Sequence, residues 1–356
     1  MATFISSLSF PNEMSKIDQT AVFQVQTSKN IEPESNDDIW ETTFQVFKNL
    51  ECPFPGETNP YAEIAEKRYQ EWAQKMKIPS CEKYLPVKLM AGAYPHCSSE
   101  MLTIFTCLLD VIFIYDDKME RVLPKCHRQP DELALKEFNR KFIQALESGV
   151  VDHHEDNHLI KAAADLNQQF TEISTPEWRL RFMQDVKEYC EANYWESTKL
   201  EIPEMQVYFE KRPLVSSVYL FLDLCELSEG IYIKDEIFNS KFFKDVRLAC
   251  NHLIWMSNDI ISFPKEAKRT GNNIIHVLME KEKCTLEEAI EKTKSFYNAE
   301  LAKLQFLLQN IPSEYGDDEK KLVNSLLFWH KSGAEWSINT ARYQKPKPTD
   351  LSWEKV

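Results

Sequence analysis

Apolar residues recur at three- and four-residue intervals along almost the whole chain, the spacing that lines them up on one stripe of an α-helix. Glycine supplies only 7 of the 356 residues, so little of the sequence suits the frequent tight turns of a strand-rich fold. The expectation is an all-α chain. Helices are predicted over about Tyr61–Lys77, Ser99–Tyr115, Asp131–Leu146, His158–Ile173, Glu177–Leu200, Leu214–Gly230, Ser240–Ile261, Thr285–Leu308 and Asp318–Asn339. No linker divides them, so residues 51–356 read as one domain despite their length. Residues 1–50 are rich in Ser, Thr, Asn and Pro with few large apolar side chains, and read as a flexible segment.

The same composition removes several function classes. The longest apolar run, Leu102–Tyr115, is broken by Asp110 and falls short of the ~20 residues that span a bilayer. The N-terminus has no basic stretch followed by an apolar core, so a cytoplasmic protein is expected. Nine cysteines without a C-x-x-C spacing read as reduced thiols. A net charge of −14 argues against a nucleic-acid partner. Phosphate-cradling glycine motifs and the G-x-S-x-G of serine hydrolases are absent. Around Asp152-His153-His154, with His158 beyond, a transition-metal site competes with a solvated loop, and the polar context after Gly149 favours the loop.

Two acidic stretches remain. Asn258, Ser262 and Glu266 stand at i, i+4 and i+8, on one helix face, directly after the apolar Leu253-Ile-Trp-Met256. Buried oxygens in a row are unfavourable unless something ligates them, and oxygen donors suit Mg2+. Upstream, Asp116 and Glu120 share a face at i, i+4 beside Asp117, near a helix end whose dipole disfavours carboxylates. Taken alone, that cluster reads equally as a cation site or a solvated helix end.

Together the two stretches resemble the signatures of class I terpene synthases of the microbial single-domain type: an aspartate-rich D-D-x-x-D/E, then N-D-x-x-S-x-x-x-E. The family's diphosphate-sensing arginine lies 46 residues before the motif asparagine, which here is Arg212. A tryptophan followed by an Arg-Tyr pair matches Trp336 and Arg342-Tyr343, and Asn59-Pro60 leading to Glu71-Trp72 resembles the family's first helix. The resemblance implies a helical bundle around a central cavity. It implies three Mg2+ ions held by Asp116, Asp117 and Glu120 on one helix and Asn258, Ser262 and Glu266 on another. Arg212, Lys265, Arg342 and Tyr343 would contact the diphosphate of a prenyl substrate, farnesyl diphosphate foremost, and Phe113 and Trp336 would border its hydrocarbon. The expected enzyme is a lyase that cyclises a carbocation to a sesquiterpene, working as a monomer or homodimer. An aromatic content of 12%, with Phe113, Trp255, Trp329 and Trp336 near the motifs, suits cation stabilisation.

Each of these residues also has a plain structural reading. Arg212 could be a surface salt-bridge partner, Lys265 a solvated helix lysine, Arg342-Tyr343 a helix end, and the aromatics ordinary core. Two departures stand out: Pro264 inside the second motif threatens the helix that should carry Glu266, and Pro213-Leu-Val215-Ser216 follows the sensor where many relatives have smaller or more polar residues. A geranylgeranyl diphosphate cyclase, a chain-elongating prenyltransferase and an inactive helical scaffold are the alternatives.

Overall fold

The computed structural model describes residues 36–79, 84–122, 131–199, 201–266 and 273–344. Among them lie fourteen α-helices and no strand. These are α1 (Asn36–Lys48), α2 (Ala62–Met76), α3 (Pro86–Ala93), α4 (Ser99–Val122), α5 (Glu132–Ser148), α6 (His158–Ile173), α7 (Pro176–Thr198), α8 (Met205–Val215), α9 (Val218–Glu229), α10 (Asp235–Phe238), α11 (Lys241–Glu266), α12 (Ile274–Glu282), α13 (Leu286–Gln309) and α14 (Asp317–Asn339). A 3₁₀ turn, Ala341–Tyr343, follows the last.

Local chemistry sets many of the boundaries. Side-chain oxygens of Asp131, Asn157 and Thr175 accept the first free amides of α5, α6 and α7. Thr285 and Glu288 close a reciprocal capping box on α13. α5 stops at Gly149, whose φ of 68° is readily reached only without a Cβ. The stretch holding His153 and His154 is an exposed loop between α5 and α6, and His153 is 83% exposed.

The helices pack around a shared interior. α11 lies against α13 and α14, α4 against α2 and α6, and α14 against α3. α3 and α14 approach closely at Gly92, where a Cβ would come within 2.4 Å of Ser332 Oγ. That closeness lets Ser332 donate to the Leu89 carbonyl at 2.7 Å. It also brings Trp329 Nε1 to the Tyr94 hydroxyl (2.8 Å), which in turn donates to the Phe221 carbonyl (2.6 Å). One buried chain of hydrogen bonds therefore joins α14, the α3–α4 connection and α9.

The main differences from the sequence reading lie in short helices and breaks. α1 falls in the stretch expected to be flexible, yet Thr43 and Phe47 are buried; residues 1–35 lie outside the described residues. α3, α8, α10 and α12 were not foreseen. α4 runs to Val122 rather than Tyr115, and α11 continues through Pro264 to Glu266. α8 and α9 are separated by Ser216 and Ser217, the latter at φ 60°, a left-handed conformation uncommon for a non-glycine residue. The break is held by Asn251 of α11, which donates to the Pro213 carbonyl at 3.0 Å and accepts from Ser216 Oγ at 3.0 Å.

Candidate active site

A cavity of about 180 Å³ opens among α3, α4, α7, α8, α9, α11, α12, α14 and the 3₁₀ turn. Its lining mixes two kinds of side chain. Leu89, Leu109, Phe113, Val218, Phe221, Ile254, Trp255, Trp329 and Trp336 supply apolar and aromatic surface, while Asp116, Glu196 and Glu266 supply carboxylates and Arg212, Lys265 and Arg342 supply cations. Three charges of each sign around one cavity, with hydrocarbon beside them, suit a ligand that is polar at one end and apolar at the other.

α11 brings the second motif to this cavity. Asn258, Lys265 and Glu266 reach the lining; Ser262 is buried just behind it. Between them points Asp259, a fully buried carboxylate that accepts from Arg212 Nε (3.1 Å) and Nη2 (2.7 Å), from the Tyr208 hydroxyl (2.6 Å) and from the Ile274 amide (2.9 Å). Burial by itself would lower the Arg212 pKa, but the Asp259 carboxylate outweighs it and keeps the guanidinium charged. Arg212 also reaches Asn258 Oδ1 at 3.3 Å, so the sensor and the motif asparagine share one network. Asn258 Nδ2 donates to the Tyr343 hydroxyl at 2.7 Å, and burial raises the pKa of that phenol, which stays neutral.

α4 contributes differently. Phe113 and Asp116 line the cavity, one turn apart on the same face. Asp116 accepts from the buried Tyr189 hydroxyl. Asp117 is 37% exposed, with Oδ1 3.8 Å from Arg342 Nη1. The Glu120 side chain lies outside the described residues. Phe113 stacks on Trp336 (centroids 5.9 Å apart, 21° between planes) and carries the Arg342 guanidinium 4.8 Å above its ring. Trp336 in turn meets the Tyr343 ring edge to face at 5.7 Å. The C-terminal turn thus rests on α4 and α11 together.

Residues that the sequence reading did not single out complete the site. Glu196, Asn193 and Ser197 come from α7, and His276 from α12. Asn193 and Ser197 stand at i, i+4, a polar pair whose spacing could have been noticed. Asp259, the second residue of the N-D-x-x-S-x-x-x-E motif, and Tyr208, which carries no such local signal, hold Arg212.

The donors fit Mg2+ in a particular way. All are hard oxygens, yet among the described residues no group of three or more His, Cys, Asp or Glu side chains gathers closely enough to hold an ion alone. Magnesium is commonly held by one or two carboxylates plus water and substrate phosphate oxygens. Carboxylates on separate walls with cations between them match that mode.

Comparison with known proteins agrees with this geometry. Residues 107–303 match the family model described as terpene synthase family 2, C-terminal metal binding. The germacrene A synthase of Nostoc punctiforme is 27% identical over 317 residues, covering 85% of this chain and 97% of that protein. The (+)-T-muurolol synthase of Roseiflexus castenholzii, described as cyclising (2E,6E)-farnesyl diphosphate, is 27% identical over 86% of this chain and 96% of its own length. Among solved structures, germacradien-4-ol synthase from Streptomyces citricolor superposes with a TM-score of 0.71 at 18% identity, covering 82% of this chain and 98% of that one. With more than half of its length matched by the family model, and its two motifs facing one cavity, the chain belongs to terpene synthase family 2.

Proposed function

We propose that the protein is a Mg2+-dependent sesquiterpene synthase that ionises farnesyl diphosphate and cyclises the resulting carbocation, releasing diphosphate. The observation that carries this reading is a single cavity whose lining combines three carboxylates and three cations with aromatic and apolar side chains. Asp116, Asn258 and Glu266 would hold the metal, three ions in all, with Asp117, Glu120 and Ser262 completing the set. Bound Mg2+ supplies charge to offset the negative charge developing on the departing diphosphate.

The chain's own residues do the rest. Arg212, fixed by Asp259, presents a permanent positive charge to diphosphate oxygens. Lys265 and Arg342 add two more, and Tyr343 offers a neutral hydroxyl. Phe113, Trp255, Trp329 and Trp336 turn π-electron density towards a cation, each contact worth about 0.5–2 kcal/mol. The C-terminal turn, seated on both walls, keeps water from that cation. We place the catalytic domain in residues 51–356, acting in the cytoplasm as a monomer or homodimer. Among the described residues no helix is long and apolar enough to cross a membrane.

The test is incubation with geranyl, farnesyl and geranylgeranyl diphosphates, each with Mg2+, followed by gas chromatography. A cyclic C15 hydrocarbon or alcohol from farnesyl diphosphate alone is expected. Product only from the C20 substrate would reassign the chain length, and longer prenyl diphosphates formed only with added isopentenyl diphosphate would replace cyclisation by chain elongation.

A further inference from the structure

The second motif ends where a helix is least able to hold a side chain. Pro264 has no amide N–H to give to the preceding turn, and Glu266 is the last residue of α11. Across residues 267–272, which lie outside the described residues, the chain returns with Asn273, whose side chain is completely buried. Its amide nitrogen donates to the Asp259 carbonyl at 2.7 Å and to Glu266 Oε2 at 3.0 Å, and sits 3.5 Å from Ser262 Oγ. Its amide oxygen accepts from the Ile275 amide at 3.0 Å and caps α12.

A primary amide has two N–H donors. Here both are directed at α11, one to the backbone of the residue next to Asn258 and one to the carboxylate of Glu266. With the oxygen committed to α12, the side chain has one orientation that satisfies every group, and a buried amide left partly unsatisfied is unfavourable. We propose that Asn273 is a positioning residue for metal binding: it holds the Glu266 carboxylate in the orientation that faces the cavity and keeps the end of α11 in register behind Ser262. This rests on the function proposed above. Groups that orient metal ligands without touching the ion commonly matter by 10–100-fold in affinity.

Two substitutions separate the clamp from the cap. In Asn273→Ser and Asn273→Thr an oxygen can still accept from the Ile275 amide, but the NH2 that holds Glu266 is gone. Each variant and the wild type are titrated with Mg2+ in saturating inorganic diphosphate by calorimetry, with melting temperature recorded without metal. The expected result is a half-saturating Mg2+ concentration raised about 10–100-fold in both variants, with kcat largely restored at high Mg2+. In a Glu266→Gln background the same substitutions should change Mg2+ affinity little, because the two residues act as one unit. A folded variant with wild-type Mg2+ affinity, whatever its melting temperature, would overturn the proposal and leave Asn273 a helix cap. Should the serine variant not fold, the threonine variant, which adds no charge, decides alone. Absence of Mg2+-dependent diphosphate binding by the wild type would instead overturn the function on which the proposal rests.

Discussion

The two walls that carry the metal motifs are built in opposite ways. On α11, almost every polar group is tied down before any ligand arrives: Asn258 to Arg212 and Tyr343, Asp259 to Arg212, Tyr208 and Ile274, and Glu266 to Asn273. On α4, Asp116 accepts from the Tyr189 hydroxyl, and Asp117 stands partly in solvent with Arg342 at 3.8 Å. The lesson is a division of labour. A buried, satisfied network makes a rigid reference surface, against which a looser acidic wall can adjust as ions and diphosphate bind.

The strongest way to break this contrast is Asp259→Ala. Removing the carboxylate leaves the Arg212 guanidinium buried without its main partner, and breaking a buried pair in this way costs roughly 3–5 kcal/mol. Both melting temperature and turnover should fall, and thermal denaturation beside a Mg2+-dependent assay reads both; a variant of unchanged stability would show that α11 is not the rigid wall. Asp116→Asn should act on one quantity only. Turnover should fall at least ~100-fold, the loss of about 2.7–4 kcal/mol that accompanies removal of one electrostatic stabiliser. Its metal-free melting temperature should hold or rise, since the Asn oxygen still accepts from Tyr189 while the carboxylate repulsion of α4 is relieved.

Smaller effects sharpen the picture where the walls meet. Arg342→Ala removes the cation that bridges Phe113 and Asp117, and a rate loss of about tenfold is expected, together with a shift towards acyclic, water-quenched alcohols. Chromatography at matched conversion checks it, and an unaltered alcohol fraction would remove the C-terminal turn from any role in excluding water. Phe113→Leu should have the mildest consequence: a rate within about tenfold of wild type and a changed ratio of cyclic to acyclic products, because one aromatic face is lost. An identical product profile from a destabilised enzyme would return Phe113 to the core.

How far the sequence carried this reading follows from the range of each interaction. The long helices were visible because their apolar residues recur over many turns, most one-sidedly in α5 and α6. Asn258, Glu266, Asp116 and Arg212 were visible because they lie at fixed separations within or between such helices, and all four reach one cavity. α3 and α12, of 8 and 9 residues, have too few turns for a repeat to stand out. The α8–α9 break depends on Asn251, 38 residues from the carbonyl it holds, and no local rule announces it. Pro264 pointed the wrong way: a helix-breaking residue sits inside α11, and the helix nevertheless reaches Glu266, where Asn273 meets it from beyond the helix end.

The serines and tyrosines around the cavity set how the protein withstands its own chemistry. A carbocation alkylates any oxygen with an available lone pair and a proton to shed, side chains included. Ser197 and Ser217 each donate their proton to a main-chain carbonyl, Ser216 donates within the α8–α9 break, and the Tyr343 oxygen accepts from Asn258. Deeper down, the Tyr94 hydroxyl is engaged on two sides, by Trp329 and by the Phe221 carbonyl. These bonds fix the direction in which each hydroxyl's lone pairs point, so the contacts that build the cavity wall also set which oxygens a cation could meet.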